Sequence, residues 1–362
     1  MTPEQNQQLQ AHVSEIAKLL YADAQAQGLP MGNLIEIEMA VRSQLLHHVS
    51  PEIGNFFIDT AVGPDSGYSR TLNSLLGKLR VGPRQAQQLG VAPGVQQSPL
   101  LALCCLRMSA KTSYRQAASD VELLTGMKVS AKSQERIVNR IPIAAPEVDS
   151  EVNEVALDGG MVRLATPKGA PSEWKQYKAV RLNAKGAGMA WFQDNSALVS
   201  WLHQLSFISL FYCLGDGHPG IWSLFAQLQV PQLSEEILDW FHLMENLHKV
   251  GGSLKRLQQA EALLWRGQVD KTLALFASVK TEAAGRFQGY LQTHRSRIPN
   301  YEYYQLEGLP IGSGSVESWI KQIDERIQVT GARWKPERVP QILALRCAYL
   351  NGDLDSFSLV EV

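Results

Sequence analysis

Apolar positions in the first 50 residues recur at helical spacing, as in Ile35, Ala40, Val41, Leu45 and Leu46, and predict a helical region over 1–60. Residues 61–98 lose that period and are rich in Gly, Pro, Ser and Gln, the composition of a loop or linker. The period returns over 99–145, where three helices are expected. Ser113 is placed to cap a helix through Ala118, Thr125-Gly126 makes a break, and Ser130 caps a third helix. In that third helix Lys132, Arg136 and Arg140 recur every fourth residue, which puts them on one face. Helix, short turn and basic helix is the outline of a helix-turn-helix; it also fits a plain three-helix unit with a solvated charged face.

From residue 150 the texture changes. Short apolar runs at 152–157, 161–164, 177–182 and 189–192, separated by Gly, Pro and Lys, predict strands. A helix near 197–205 leads to a strongly apolar strand at 207–214. Helices are then expected at 220–229, at 234–250 and in a run to about 296. After Gly308 a short strand-like piece precedes Gly312-Ser313-Gly314 and another helix. Strands followed by helices in this order give an α/β fold with a mixed sheet.

Composition adds less than its distribution. The 362 residues, 45% hydrophobic and 19% charged, suit two or three globular domains. A net charge of -1 argues against a uniformly basic nucleic-acid binder. By segment, however, residues 1–60 hold two cations against seven acids, 107–140 seven against three, and 161–190 six against one. The four cysteines, Cys104, Cys105, Cys213 and Cys347, make no C-x-x-C pair. They support neither a zinc ribbon nor a disulfide framework, and a reduced, cytosolic chain is expected. The opening residues carry no secretory signal, and the charge-free stretch 195–215 reads as a helix followed by a buried strand. No membrane association is expected.

Two carboxylates stand in an unusual setting. Asp158 (ALDGG) and Asp216 (LGDGH) each end an apolar run and precede Gly. A carboxylate at the carboxyl end of a buried strand projects into the crevice where α/β folds place ligands, and the Gly lets the backbone turn aside. Two such acids side by side repel unless a cation neutralises them, so a divalent metal is the natural use. Asp-Gly is also a common turn dipeptide. A third acid, Glu317, lies in the first turn expected after Gly-Ser-Gly. There it either joins the metal site or complements the helix dipole as a capping-box residue behind Gly314.

Asp239 and His242, three residues apart, can meet on one helix face, where the His could contact a phosphate or simply be a satisfied core residue. His242 and His248 lack the i, i+4 spacing of a zincin. No G-x-S-x-G and no phosphate-binding glycine loop is present.

Taken together, VALDGGMVRL, SEWKQYKAVRL, LGDGHPGIW, ILDWFHLMENL and IGSGSVESWIKQI with TGARW and ILALRCAYLNGD resemble bacterial insertion-sequence transposases of the Kra group. These are DDE enzymes with an RNase H-like core, related to the Mutator-like transposases. The resemblance covers roughly residues 100–355. It implies metal-dependent DNA strand cleavage and transfer at insertion-element ends, with Asp158, Asp216 and Glu317 holding Mg2+ (or Mn2+). Asp239 and His242 match a C/D-x-x-H motif, with His242 at the scissile phosphate and Asp239 supporting it. Trp174, Lys175 and Lys178 match a W-K-x-x-K element, with the lysines contacting DNA or the core. Lys132, Arg136 and Arg140 would bind DNA from the helix-turn-helix.

The implied layout is an all-α N-terminal region at 1–60, a linker or degenerate recognition segment at 61–98, and the helix-turn-helix at 99–145. An RNase H-like catalytic core at 150–250 and 305–330 then encloses a helical insertion at 251–304, and a C-terminal helical tail covers 331–362. Double-stranded DNA and a homo-oligomer assembled on it are the expected partners, in the bacterial cytoplasm at the nucleoid. Family members commonly carry a Cys-rich, zinc-ribbon-like segment before the helix-turn-helix; residues 55–98 contain no Cys, so no zinc is expected. A catalytically silent DNA-binding descendant is the alternative.

Overall fold

A computed structural model describes residues 1–65 and 67–355; Ser66 and the last seven residues of the expected tail lie outside the described residues. The chain divides into two compact units, Met1–Ile141 with Leu354–Val362, and Pro142–Asp353.

The first unit begins with α1 (Pro3–Ala26), α2 (Leu34–Gln44) and, after a π-helical turn at Leu45–Val49, α3 (Ser50–Val62). The segment expected to be a linker folds. It forms an antiparallel hairpin of β1 (Arg70–Ser74) and β2 (Gly77–Val81), followed by α4 (Pro83–Gln88). Alternate residues point inward, and Leu72, Leu79, Val81, Ala86 and Val91 make a small core of their own. The N-terminal unit is therefore not all-α.

Three helices follow, α5 (Pro99–Lys111), α6 (Tyr114–Thr125) and α7 (Ala131–Arg140). Ser113 and Ser130 cap α6 and α7 by accepting from Gln116 N and Ser133 N, each at 3.2 Å. Helix α6 runs beyond Ala118 and ends where Gly126 takes φ 75°. Gln134, Ile137 and Val138 turn inward from α7, while Lys132, Arg136 and Arg140 lie on its exposed face.

The second unit is built on a five-stranded mixed sheet. Its elements are β3 (Val152–Leu164), β4 (Glu173–Leu182), β5 (Gly188–Phe192), α8 (Asn195–Leu202), β6 (Phe207–Gly215), α9 (Pro219–Phe225), β7 (Leu233–Leu238) and α10 (Trp240–His248). Helices α11 (Leu254–Trp265), α12 (Val269–Phe276), α13 (Glu282–Thr293), α14 (Tyr301–Leu306), α15 (Gly314–Ile327) and α16 (Val339–Asn351) complete it. The strand order is β5-β4-β3-β6-β7. Strands β3, β4 and β5 pair antiparallel, whereas β6 and β7 join β3 in parallel. Val155, Ala156 and Leu157 are buried in succession, as in a strand covered on both faces.

Four expectations are corrected here. The runs at 152–157 and 161–164 are one strand, β3, with no turn between them. The first part of the helix expected at 234–250 is strand β7, held by parallel pairing from Leu210–Leu233 to Gly215–Leu238. The piece after Gly308 is not a strand. The expected C-terminal tail belongs largely to the core: α16 packs on β5 and buries Ile342, Leu343 and Cys347 among others. Trp334 docks on the end of β3, donating from its backbone N to Arg163 O at 2.9 Å.

The helices of 254–306 are fastened to the edge strand. Arg297 Nε lies 2.5 Å from Glu236, Tyr304 donates to Glu235, and the buried Tyr301 hydroxyl donates to Leu238 O at 2.7 Å. Among the described residues no helix is long and apolar enough to cross a membrane.

Candidate active site

Parallel pairing of β3 with β6 sets the register of the two aspartates. Ala156 pairs with Leu214, and two residues further along each strand stand Asp158 and Asp216. They are close enough to repel. Burial pushes the Asp158 carboxyl up, and Asp216 adds to the rise, while a hydrogen bond from Gly159 N at 2.6 Å opposes it.

The glycines after the two aspartates do different work. After Asp158 there is no turn: Gly159 and Gly160 continue β3, opposite Lys178 and Tyr177 of β4. A Cβ on Gly160 would enter the buried Tyr177 ring, and one on Gly159 would meet the end of Gln176. Those glycines admit side chains of the neighbouring strand. After Asp216 the turn is real. Gly217 sits at φ 95°, and Asp216 Oδ1 accepts from His218 N at 2.8 Å. The Tyr290 hydroxyl of α13 closes on this turn, 3.4 Å from Asp216 O.

Lys178 faces the pair. Its Nζ is buried without a hydrogen-bond partner, and burial lowers its pKa while Asp216 and Asp158 hold the charge on it. This lysine supplies positive charge at the acid pair. The other members of its sequence element do not join it. Trp174 pairs with Arg163 and Lys175 with Val162 farther along the hairpin, where Lys175 binds Glu173 at 3.1 Å.

Asp239 is the hub of the site. It ends β7, caps α10, and is 2% exposed. One oxygen, Oδ1, accepts from His242 N at 2.7 Å and lies 3.2 Å from His242 Nδ1. The other accepts from Ser313 Oγ at 2.8 Å and from Ser313 N. Its own N–H donates to Gly215 O at 2.9 Å, next to Asp216. Burial raises the Asp239 carboxyl, but the hydrogen bonds from His242 and Ser313 outweigh it and leave the pKa below the usual value. The same carboxylate pushes His242 up to about 9, with a smaller contribution from Asp216, so the ring is an imidazolium at neutral pH.

Ser313 is the N-cap of α15, so Gly314 is the first helical residue and Glu317 does not take the capping-box position behind a Gly314 cap. Glu317 lies on the first turn, half-buried, with Lys321 Nζ at 2.7 Å. Among the described residues no group of three or more His, Cys, Asp or Glu is arranged to hold a metal ion. Asp158, Asp216, Lys178 and His242 act on one another electrostatically; Glu317 is tied to them only through Ser313 and Asp239. No protein-family model matches the chain, and no curated protein matches it.

The roles of Ser313 and Tyr290 lay outside the sequence reading. Ser313 stood in a Gly-Ser-Gly run that marked only the approach to a helix, and Tyr290 comes from a helix 74 residues after Asp216.

Proposed function

We propose that the chain is a DDE-type transposase with an RNase H-like core, cleaving DNA at the ends of an insertion element and transferring the strand. The observation that carries this reading is that Asp158 lies on β3 and Asp216 directly follows the adjacent parallel strand β6, near the centre of a sheet ordered β5-β4-β3-β6-β7. Two half-buried acids in mutual repulsion suit a divalent cation. Burial first and Asp216 after it push the Asp158 carboxyl up, and the Lys178 ammonium acts on both acids.

Asp158 and Asp216 would hold Mg2+ or Mn2+, and Glu317 is the ligand that the resemblance adds. When bound, such ions supply a more acidic attacking water or 3′-hydroxyl and a neutralised leaving oxygen. The protein's own groups do the rest. His242, held as a cation by Asp239, offers an N–H to a non-bridging oxygen of the scissile phosphate. Lys178 balances the acid pair. The exposed Lys132, Arg136 and Arg140 of α7 bind the duplex as a homo-oligomer assembles on it, in the bacterial cytoplasm.

The test uses duplex carrying the DNA that flanks the gene, with Mg2+ or Mn2+. The wild type should nick it and join the ends, and Asp158→Asn should lose at least about 1,000-fold in cleavage while retaining DNA affinity. Undiminished nicking by Asp158→Asn overturns the assignment. A second reading, a catalytically silent DNA-binding descendant, is favoured by the Glu317–Lys321 pair, which engages the third acid within its own helix. DNA binding with no metal-dependent cleavage by the wild type would decide for it.

A further inference from the structure

The segment 67–98 has a use beyond connecting the head to the three helices. From Gly67 to Ser119 the chain contains seven Lys and Arg and not one Asp or Glu. Three adjoining cavities, of about 620, 260 and 320 Å3, run from the β1–β2 hairpin along residues 90–97 to α7. The first two share Val91, Ala92 and Pro93, and the last two share Gln97 and Arg140, so they form one trough. Arg70, Arg136 and Arg140 line it, and no carboxylate among the described residues does. Gln87 and Gln96 lie exposed along it, and such amides can donate and accept.

Its walls are joined firmly. Asn73 N donates to Gln96 O at 2.8 Å, and Ser98 N donates to Asn73 O at 2.7 Å. Ser98 then caps α5, which packs on α6 and α7, and Ser109 of α5 meets Gln134 of α7 in the core at 3.2 Å. Hairpin, loop and basic helix therefore share one rigid frame.

We infer that the 67–98 module and α7 form one composite duplex-DNA surface, with the trough seating the phosphate backbone beside the groove that α7 enters. An acid-free trough with arginines at its two ends fits a polyanion, and amides along it fit phosphate and sugar oxygens. This inference rests on the reading of α7 as a DNA-binding helix.

The test uses the full chain and a 30-base-pair duplex of random sequence, titrated by fluorescence anisotropy over a salt series. Arg136→Gln should weaken binding and make the salt slope shallower by about 1. The pair Gln87→Glu and Gln96→Glu, both at exposed positions, should weaken binding by about 10-fold or more, with an unchanged melting temperature. A photo-crosslinking residue at position 96 should become joined to the DNA. Weakening by Arg136→Gln with no effect of the glutamates and no crosslink overturns the composite surface while leaving α7 as the reader. No weakening by any of these variants overturns DNA binding by this unit altogether. Equal competition by polyglutamate of matched charge would assign the trough to an acidic protein and also overturn the inference.

Discussion

Asp239 shapes the site through hydrogen bonds. Its two oxygens serve two elements, the start of α10 with His242 and the start of α15 with Ser313. Asp239→Asn keeps the size and removes the charge, so the His242 pKa should fall from about 9 toward 6.5, read by NMR titration of the imidazole. Because the folded value lies above the unfolded one, the stabilisation from this pair is complete below about pH 6.5 and is lost as pH rises through about 9. The unfolding free energies of wild type and Asp239→Asn should therefore differ most at about pH 6, and the gap should narrow but not close above about pH 9, because the Ser313 bonds to the carboxylate do not titrate with His242. Asp158 obeys the same sign for a different reason, since there the fold disfavours the charged form. Its raised pKa means that ionisation costs the folded state stability as pH rises past the ordinary carboxyl range. Asp158→Asn removes that cost, and should be more stable than the wild type at about pH 8, with the difference vanishing at about pH 3. Denaturant titration at the two pH values checks it.

Among the elements, β3 shows how a local pattern can be read correctly as strand and wrongly as turn. Asp-Gly-Gly suggests a chain reversal, yet β4 runs alongside and sets Tyr177 against Gly160. Gly160→Ala should cost about 2 kcal/mol, because Tyr177 is fully buried and its hydroxyl is committed to Asp324 at 2.7 Å. Gly159→Ala meets only the flexible end of Gln176 and should cost less than about 1 kcal/mol. Urea unfolding of the two variants separates these cases. The helices α6 and α7 could be read from the chain because their caps are local, a serine accepting from the third residue beyond it. Strand β7 could not. LSEEIL spaces Leu233 and Ile237 as on a helix, and only the parallel ladder with β6 makes it extended. The hairpin at 70–81 did carry a signal, the alternation of Leu72, Leu79 and Val81 with exposed residues, which its Gly and Ser content obscured. In the site itself, the strand-end position of Asp216 was readable from LGDGH, whereas the electrostatic coupling of Lys178 to the acids needs β4 alongside β3, a pairing that no local pattern announces.

Across the whole molecule, every strand of the five-stranded sheet, and with it Asp158, Asp216, His242 and Glu317, lies within Pro142–Asp353. The basic helix α7 and the acid-free run lie in the other unit. Between α7 and β3 the chain has no regular element, and Glu147, Asp149 and Glu151 are exposed there. A glutamyl protease should cut first in this stretch, since cleavage needs an unfolded, accessible segment. A recombinant 142–353 fragment contains its own buried core and should unfold in one cooperative transition, followed by far-UV circular dichroism in urea. The same fragment isolates the contribution of charge. A net charge of -1 for the whole chain says little about polyanion binding when one unit carries an acid-free run of cations and an acidic head together. Stripped of that unit, the fragment should bind random duplex with a logarithmic salt slope shallower than the full chain's by about the number of phosphate contacts removed, at least 3 if Lys132, Arg136 and Arg140 each make one. A fragment with the slope of the full chain would move the duplex-binding surface to the sheet unit, onto the lysines of β4.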